Sequence, residues 1–224
     1  MSLLVDPSNL AFLDGYIFRV MANMLRKEGP EASGMYDYYK ARVEKIGTAL
    51  SDYDRMLFRY VYDNFDRDGR RILHAGTGLG TLPSALAMGG YQVAGIEQDA
   101  PRFRAAVRMR DALADVWPDE AGRYQLIAGE FPSIVASTMW MAQPTVLIFT
   151  NCGGNWPADL TSSAIAAFRQ VGDVLLDARL FGKVRDQQKD RDDLIDQMRA
   201  TGLSATPIAE TTPGAYYYHL RRDD

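Results

Sequence analysis

From Arg70 onward the chain alternates between short apolar runs and longer segments patterned like helices. "RRILHA" leads into "TLPSALAMGG", "YQVAGIE" into "APRFRAAVRMRDALADVW", and "YQLIAG" into "PSIVASTMWMA". "PTVLIFT" then leads into "PADLTSSAIAAFRQ", and "GDVLLDARLF" into "DQQKDRDDLIDQMRATG". Continuous apolar runs of this length read as strands buried on both faces, and the helix after each reads as a crossover. This alternation implies an α/β fold, a doubly wound, Rossmann-like, mostly parallel sheet covered on both faces. "LSATPIAE" and "AYYYHLRR", joined by "TTPG", read as a closing antiparallel hairpin, which brings the sheet to seven strands.

Ahead of this pattern the chain reads as helix only. "SNLAFLDGYIFRVMANMLRKEG" has apolar residues at helical spacing, with Ser8 or Asn9 as its cap and Gly29-Pro30 as its stop. "SGMYDYYKARVEKIGTAL" and "SDYDRMLFRYVYDNF" predict two more helices, and Ser51 caps the last. The expected organisation is therefore an N-terminal helical extension or lid over residues 1–68 and a ligand-binding α/β domain over residues 69–224.

The first predicted strand runs into "HAGTGLG", where Gly76, Gly78 and Gly80 alternate before a helix. Glycine loses more backbone freedom on folding than any other residue. Three in five positions therefore indicate a sharp turn, a close ligand, or both. A helix N-terminus offers unpaired N–H groups and partial positive charge, and right-handed crossovers place the ligand crevice at the carboxyl ends of the strands. The spacing is G-x-G-x-G. A dinucleotide fingerprint would need glycine at position 81, which is Thr81, and a phosphate loop would need Lys followed by Ser or Thr after Gly80.

The bulk properties exclude other classes. Twenty-five basic against twenty-nine acidic residues leave a net charge of −4, which argues against a nucleic-acid binder. The arginines of "PRFRAAVRMRD" are interleaved with acids and read as a solvated helix face. The single cysteine allows no internal disulfide and suits a reducing, cytoplasmic compartment. No apolar run is long enough for a membrane span, no signal-peptide pattern opens the chain, and no Cys/His cluster has metal-ligand spacing.

"ILHAGTGLGTLPSALAMGGYQVAGIEQD" resembles the first motif and second strand of class I S-adenosylmethionine-dependent methyltransferases. The resemblance covers roughly residues 69 to 222. It implies S-adenosylmethionine as cofactor. It also implies that Gly76, Thr77, Gly78 and Gly80 run beneath the cofactor's methionine part. Glu97 matches the acid that holds the ribose hydroxyls, with Gln98 beside it. Glu130, after Gly129, matches the residue that reads the adenine amino group, and Phe131 beside it either covers the adenine ring or belongs to the core. Asn151, after the fourth strand, is a candidate for orienting the acceptor. His74 stands where the family usually has Asp or Glu, two residues before the first glycine. His74 and an N-terminal tyrosine such as Tyr39 complete the catalytic candidates.

The expected function is methyl transfer to nitrogen or oxygen of a small acceptor, by a monomer or homodimer with no nucleic-acid, membrane or metal partner. Two alternatives stay open. One is a methyltransferase-like cofactor-binding protein without catalysis, and the other is an NAD(P)-binding Rossmann oxidoreductase.

Overall fold

The computed structural model describes residues 4–28, 39–133, 145–150, 158–178, 188–209 and 216–222. The strands are β1 (Arg71–Ala75), β2 (Gln92–Glu97), β3 (Tyr124–Ala128), β4 (Thr145–Phe149), β5 (Asp173–Asp177), β6 (Leu203–Pro207) and β7 (Tyr217–Arg222). They form one seven-stranded sheet in the order β3-β2-β1-β4-β5-β7-β6. β1 to β5 are parallel, and β7 runs antiparallel between β5 and β6. This is the predicted doubly wound sheet with its closing hairpin. The reversal of strand order between β1 and β4 puts the crevice just beyond Ala75, where the glycine loop begins.

The helices are α1 (Leu10–Glu28), α2 (Asp52–Asn64), α3 (Thr81–Met88), α4 (Ala100–Ala114), the one-turn α5 (Pro118–Ala121), α6 (Ala158–Val171) and α7 (Gln188–Ala200). One sheet face carries Ile72, Val93, Val146 and Leu175. It is covered by a cluster that draws Leu13, Ile17 and Met21 from α1 and Leu57, Phe58 and Val61 from α2. Leu13, Ile17 and Met21 recur every fourth residue and so lie along one helix face. All three are fully buried, which contributes about 1.5–3 kcal/mol each. Every residue of α3 is buried as well. The opposite sheet face carries Leu73, Leu147 and Leu176 against Phe168 of α6 and Met198 of α7.

The helix expected over residues 33–50 ends earlier than predicted. Residues 33–38 lie outside the described residues, a π-helical turn spans Arg42–Ile46, and Gly47 takes a left-handed φ of 73°. The cause lies elsewhere in the chain. The buried carboxylate of Asp14 on α1 accepts the N–H groups of Ala49 (2.9 Å) and Leu50 (2.8 Å) and pairs with Arg55 of α2. Those N–H groups would otherwise need a helical carbonyl. Ser51 then starts α2 with a capping box: its hydroxyl accepts from Asp54 N–H at 3.0 Å, and the Asp54 carboxylate accepts from Ser51 N–H at 2.8 Å. The helix predicted over residues 132–142 lies almost wholly outside the described residues.

Candidate functional site

Ala75 of β1 and Glu97 of β2 end adjacent strands, and the loop that follows β1 folds back over both. Gly76, Gly78 and Gly80 have φ values of 68°, 58° and 76°, a left-handed conformation that favours glycine. Thr77 N–H donates to Ile96 C=O at 3.0 Å, and Gly80 N–H donates to Thr77 C=O at 2.9 Å. The loop is thus a single tight turn pinned at Thr77, and Gly80 is the N-cap of α3.

Glu97 is buried. Its Oε2 accepts the N–H of Gly78 at 2.8 Å and its Oε1 the N–H of Asp99 at 2.9 Å. Asp99 in turn caps α4 by accepting from Arg102 N–H at 2.9 Å. One carboxylate therefore ties the glycine loop to the end of β2. A carboxylate offers about four lone-pair sites, so these two bonds leave acceptor capacity for a ligand's hydroxyl groups.

Two tyrosine hydroxyls bracket the loop. The half-buried Tyr39 places its hydroxyl 2.7 Å from where a Cβ on Gly78 would stand, and Leu79 N–H reaches that hydroxyl at 3.4 Å. Tyr124, at the start of β3, places its hydroxyl 2.6 Å from a Cβ on Gly80 and 3.2 Å from Thr77 Oγ1. Burial pushes the Tyr124 phenol far above its ordinary pKa, so it stays protonated.

His74 lies in β1 between Gly95 of β2 and Ile148 of β4. It is buried, and both ring nitrogens lack a hydrogen-bond partner among the described residues. Burial lowers its pKa to about 4, because the charged imidazolium is poorly solvated there. At neutral pH it is an uncharged ring with one donor and one acceptor to offer.

The other candidates are dispersed. Gln98 and Glu130 are exposed, and Gly129 N–H donates to Glu97 C=O at 3.1 Å. Phe131 is buried, with its ring 4.7 Å from Phe149 and 6.2 Å from Phe168 between centroids, so it belongs to the core on the second sheet face. Asn151 lies outside the described residues. The sequence reading did not single out Tyr124 or Gly95. The available signal was a glycine inside a strand, which marks a close approach by another group.

No protein-family model matches the sequence, and no curated protein matches it closely enough to count as a relative. Solved structures do match. WbdD aligns at 18% identity over 90% of this chain and 46% of its own, with a TM-score of 0.57. This chain therefore spans about half the length of WbdD. A TehB-like SAM-dependent methyltransferase from Corynebacterium glutamicum aligns at 14% identity over 85% of this chain and 97% of its own, with a TM-score of 0.52. The chain has the class I S-adenosylmethionine-dependent methyltransferase fold. A third match is the glycopeptide N-methyltransferase MtfA, solved with S-adenosyl-L-methionine. It aligns at 13% identity over 79% of this chain and 96% of its own, with a TM-score of 0.52. The left-handed glycine loop and Glu97 stand at the end of β1 and the end of β2 of this methyltransferase fold. No helix among the described residues is long and apolar enough to cross a membrane.

Proposed function

We propose that this chain transfers a methyl group from S-adenosylmethionine to a nitrogen or oxygen atom of a small-molecule acceptor. The observation that carries the reading is the buried Glu97 carboxylate bonded to Gly78 N–H at 2.8 Å, beside a turn of three left-handed glycines. This is a rigid acceptor fused to a loop that brings its backbone to the surface of the crevice. When bound, the cofactor supplies an electrophilic methyl group on a positively charged sulfur. Gly76, Thr77, Gly78 and Gly80 would pass under its amino-acid part, Glu97 would accept from its ribose hydroxyls, and Gln98 and Glu130 would flank its nucleoside.

What remains for the protein is to hold the acceptor in line and exclude water, since alignment alone accounts for much of such a rate. Tyr39 suits the covering role, because its hydroxyl already rests on the loop. His74, with a pKa of about 4, is mismatched to proton abstraction at neutral pH and better suited to hydrogen bonding. Asn151 is retained as an orienting group. The proposed division of labour keeps cofactor binding in residues 69–224 and acceptor choice in residues 1–68. The same folding core runs through both.

Two measurements test the cofactor. S-adenosylhomocysteine or S-adenosylmethionine is expected to raise the melting temperature while NAD does not, because only a ligand that binds the folded state stabilises it. A shift with NAD alone would replace this reading by an oxidoreductase. Glu97→Ala is expected to weaken S-adenosylhomocysteine binding by roughly tenfold to a hundredfold, the loss of about 1.5–3 kcal/mol carried by hydrogen bonds to a charged group. An unchanged dissociation constant in calorimetric titration would remove Glu97 from the site. Cofactor binding without turnover, across a panel of amines, acids and phenols, would favour the non-catalytic alternative.

A further inference from the structure

We infer that Tyr124 is a positioning residue: it sets the shape of the glycine loop and, through it, the affinity of what the loop holds. The second half of this inference rests on the cofactor reading above, and the first half does not.

Tyr124 starts the edge strand β3 and is 2% exposed. Its ring alone would fill that space as a phenylalanine would, so the oxygen needs its own account. A buried hydroxyl requires a partner, and the one bonded to Tyr124 is Thr77 Oγ1 at 3.2 Å. Thr77 is the pivot of the loop: its N–H is held by Ile96 C=O and its C=O by Gly80 N–H. The surroundings are cut to fit the phenol. A Cβ at Gly80 would lie 2.6 Å from the Tyr124 hydroxyl and 3.2 Å from its ring. A Cβ at Gly95, in mid-strand, would lie 2.9 Å from the same hydroxyl and 2.6 Å from Thr77 Oγ1. Gly80 and Gly95 therefore make room for a side chain of the protein itself, whereas Gly78 turns its bare face towards the Tyr39 hydroxyl. The loop rests on Tyr124 at Thr77, the residue that joins its internal bond from Gly80 N–H to its anchor on Ile96.

The test uses Tyr124→Phe, Thr77→Val and the double variant of the full chain, read in two ways. In the ligand-free protein, hydrogen exchange at the amides of residues 77–80 is expected to quicken roughly tenfold in Tyr124→Phe, while β5 and β7 stay within about twofold. The dissociation constant for S-adenosylhomocysteine is expected to rise about threefold to tenfold, the scale of one buried hydrogen bond. The double variant should be no worse than the poorer single variant by more than about twofold, since both remove one bond. Loop exchange that is unchanged, or that rises equally everywhere, overturns the positioning role and leaves Tyr124 as a core residue. A loosened loop with unchanged affinity overturns the ligand half. A parent chain that does not bind S-adenosylhomocysteine overturns the cofactor reading, and loop exchange still decides the role of Tyr124.

Discussion

Acidification from pH 6.5 to pH 4 is expected to cost about 3 kcal/mol of stability through His74 alone. The sign follows from where the proton binds. An unfolded histidine titrates near 6.5, whereas the folded His74 is held down to about 4 by burial. Above pH 6.5 the ring is neutral in both states, and its contribution is fully present. Between pH 6.5 and 4 the unfolded chain takes up a proton that the folded chain refuses, so stability falls by about 1.4 kcal/mol for each unit. Below the folded value both states are protonated and the slope vanishes. The check is urea unfolding at several pH values for the parent and His74→Leu. Across the window His74→Leu should gain about 3 kcal/mol on the parent, because every other titrating group cancels. Parallel curves would mean that the ring finds a partner on protonation. The two bare nitrogens also imply that His74→Leu is no less stable than the parent at pH 7, since it removes buried polar atoms that are unpaired.

The sheet was legible because its strands are buried on both faces, which leaves unbroken apolar runs such as "TVLIF" and "DVLLD" flanked by helical spacing. Glu97 and the glycines were legible for a local reason: a strand end and a turn are short-range features. The missed features depend on residues far apart in sequence. The early end of the helix before Gly47 is dictated by Asp14, thirty-five residues from Ala49. Tyr124 meets Thr77 across forty-seven residues. Phe131 followed Glu130 in a motif-like position, yet its ring turns into the core with Phe149 and Phe168. Nothing in a run of letters distinguishes a phenylalanine that covers a ligand from one that fills a core. The same holds for the first seventy residues. Their helical period shows which faces are apolar, but only the fold shows that α1 and α2 contribute to the cluster that also takes in α3 and the sheet.

The second large effect is expected at Asp173, where the helical extension is fastened to the sheet. Tyr60 of α2 meets His219 Nδ1 at 2.9 Å, and His219 Nε2 meets Asp173 Oδ1 at 2.8 Å. Asp173 also receives Arg70 at 2.7 Å and Arg221 at 3.2 Å. With the proton on Nε2, His219 donates to Asp173 and accepts from the Tyr60 hydroxyl, so every buried polar atom in the chain of contacts is used. Burial pushes the Asp173 carboxyl up, but the hydrogen bond from His219 and the charges of Arg70 and Arg221 outweigh it and hold the pKa below the usual value. Asp173→Ala is therefore expected to cost about 3 kcal/mol, because it leaves the buried His219 donor without its acceptor and takes the carboxylate from two guanidinium groups. The cost stays at the low end of what a broken buried pair removes, since Arg70 and Arg221 are 38% and 59% exposed and regain water. Asp173→Asn keeps an acceptor of the same shape and should lose less. Tyr60→Phe removes one neutral bond and should lose about 1 kcal/mol. The depressed carboxyl pKa adds a pH signature: its stabilisation is present above the unfolded value of 3.8 and is lost as pH falls through the lower folded value. That window lies below the one set by His74, so acid unfolding of the parent should proceed in two slopes, and Asp173→Asn should reduce only the lower one. A loss under about 1 kcal/mol in Asp173→Ala would mean that solvent accepts from His219 and both arginines in place of the carboxylate.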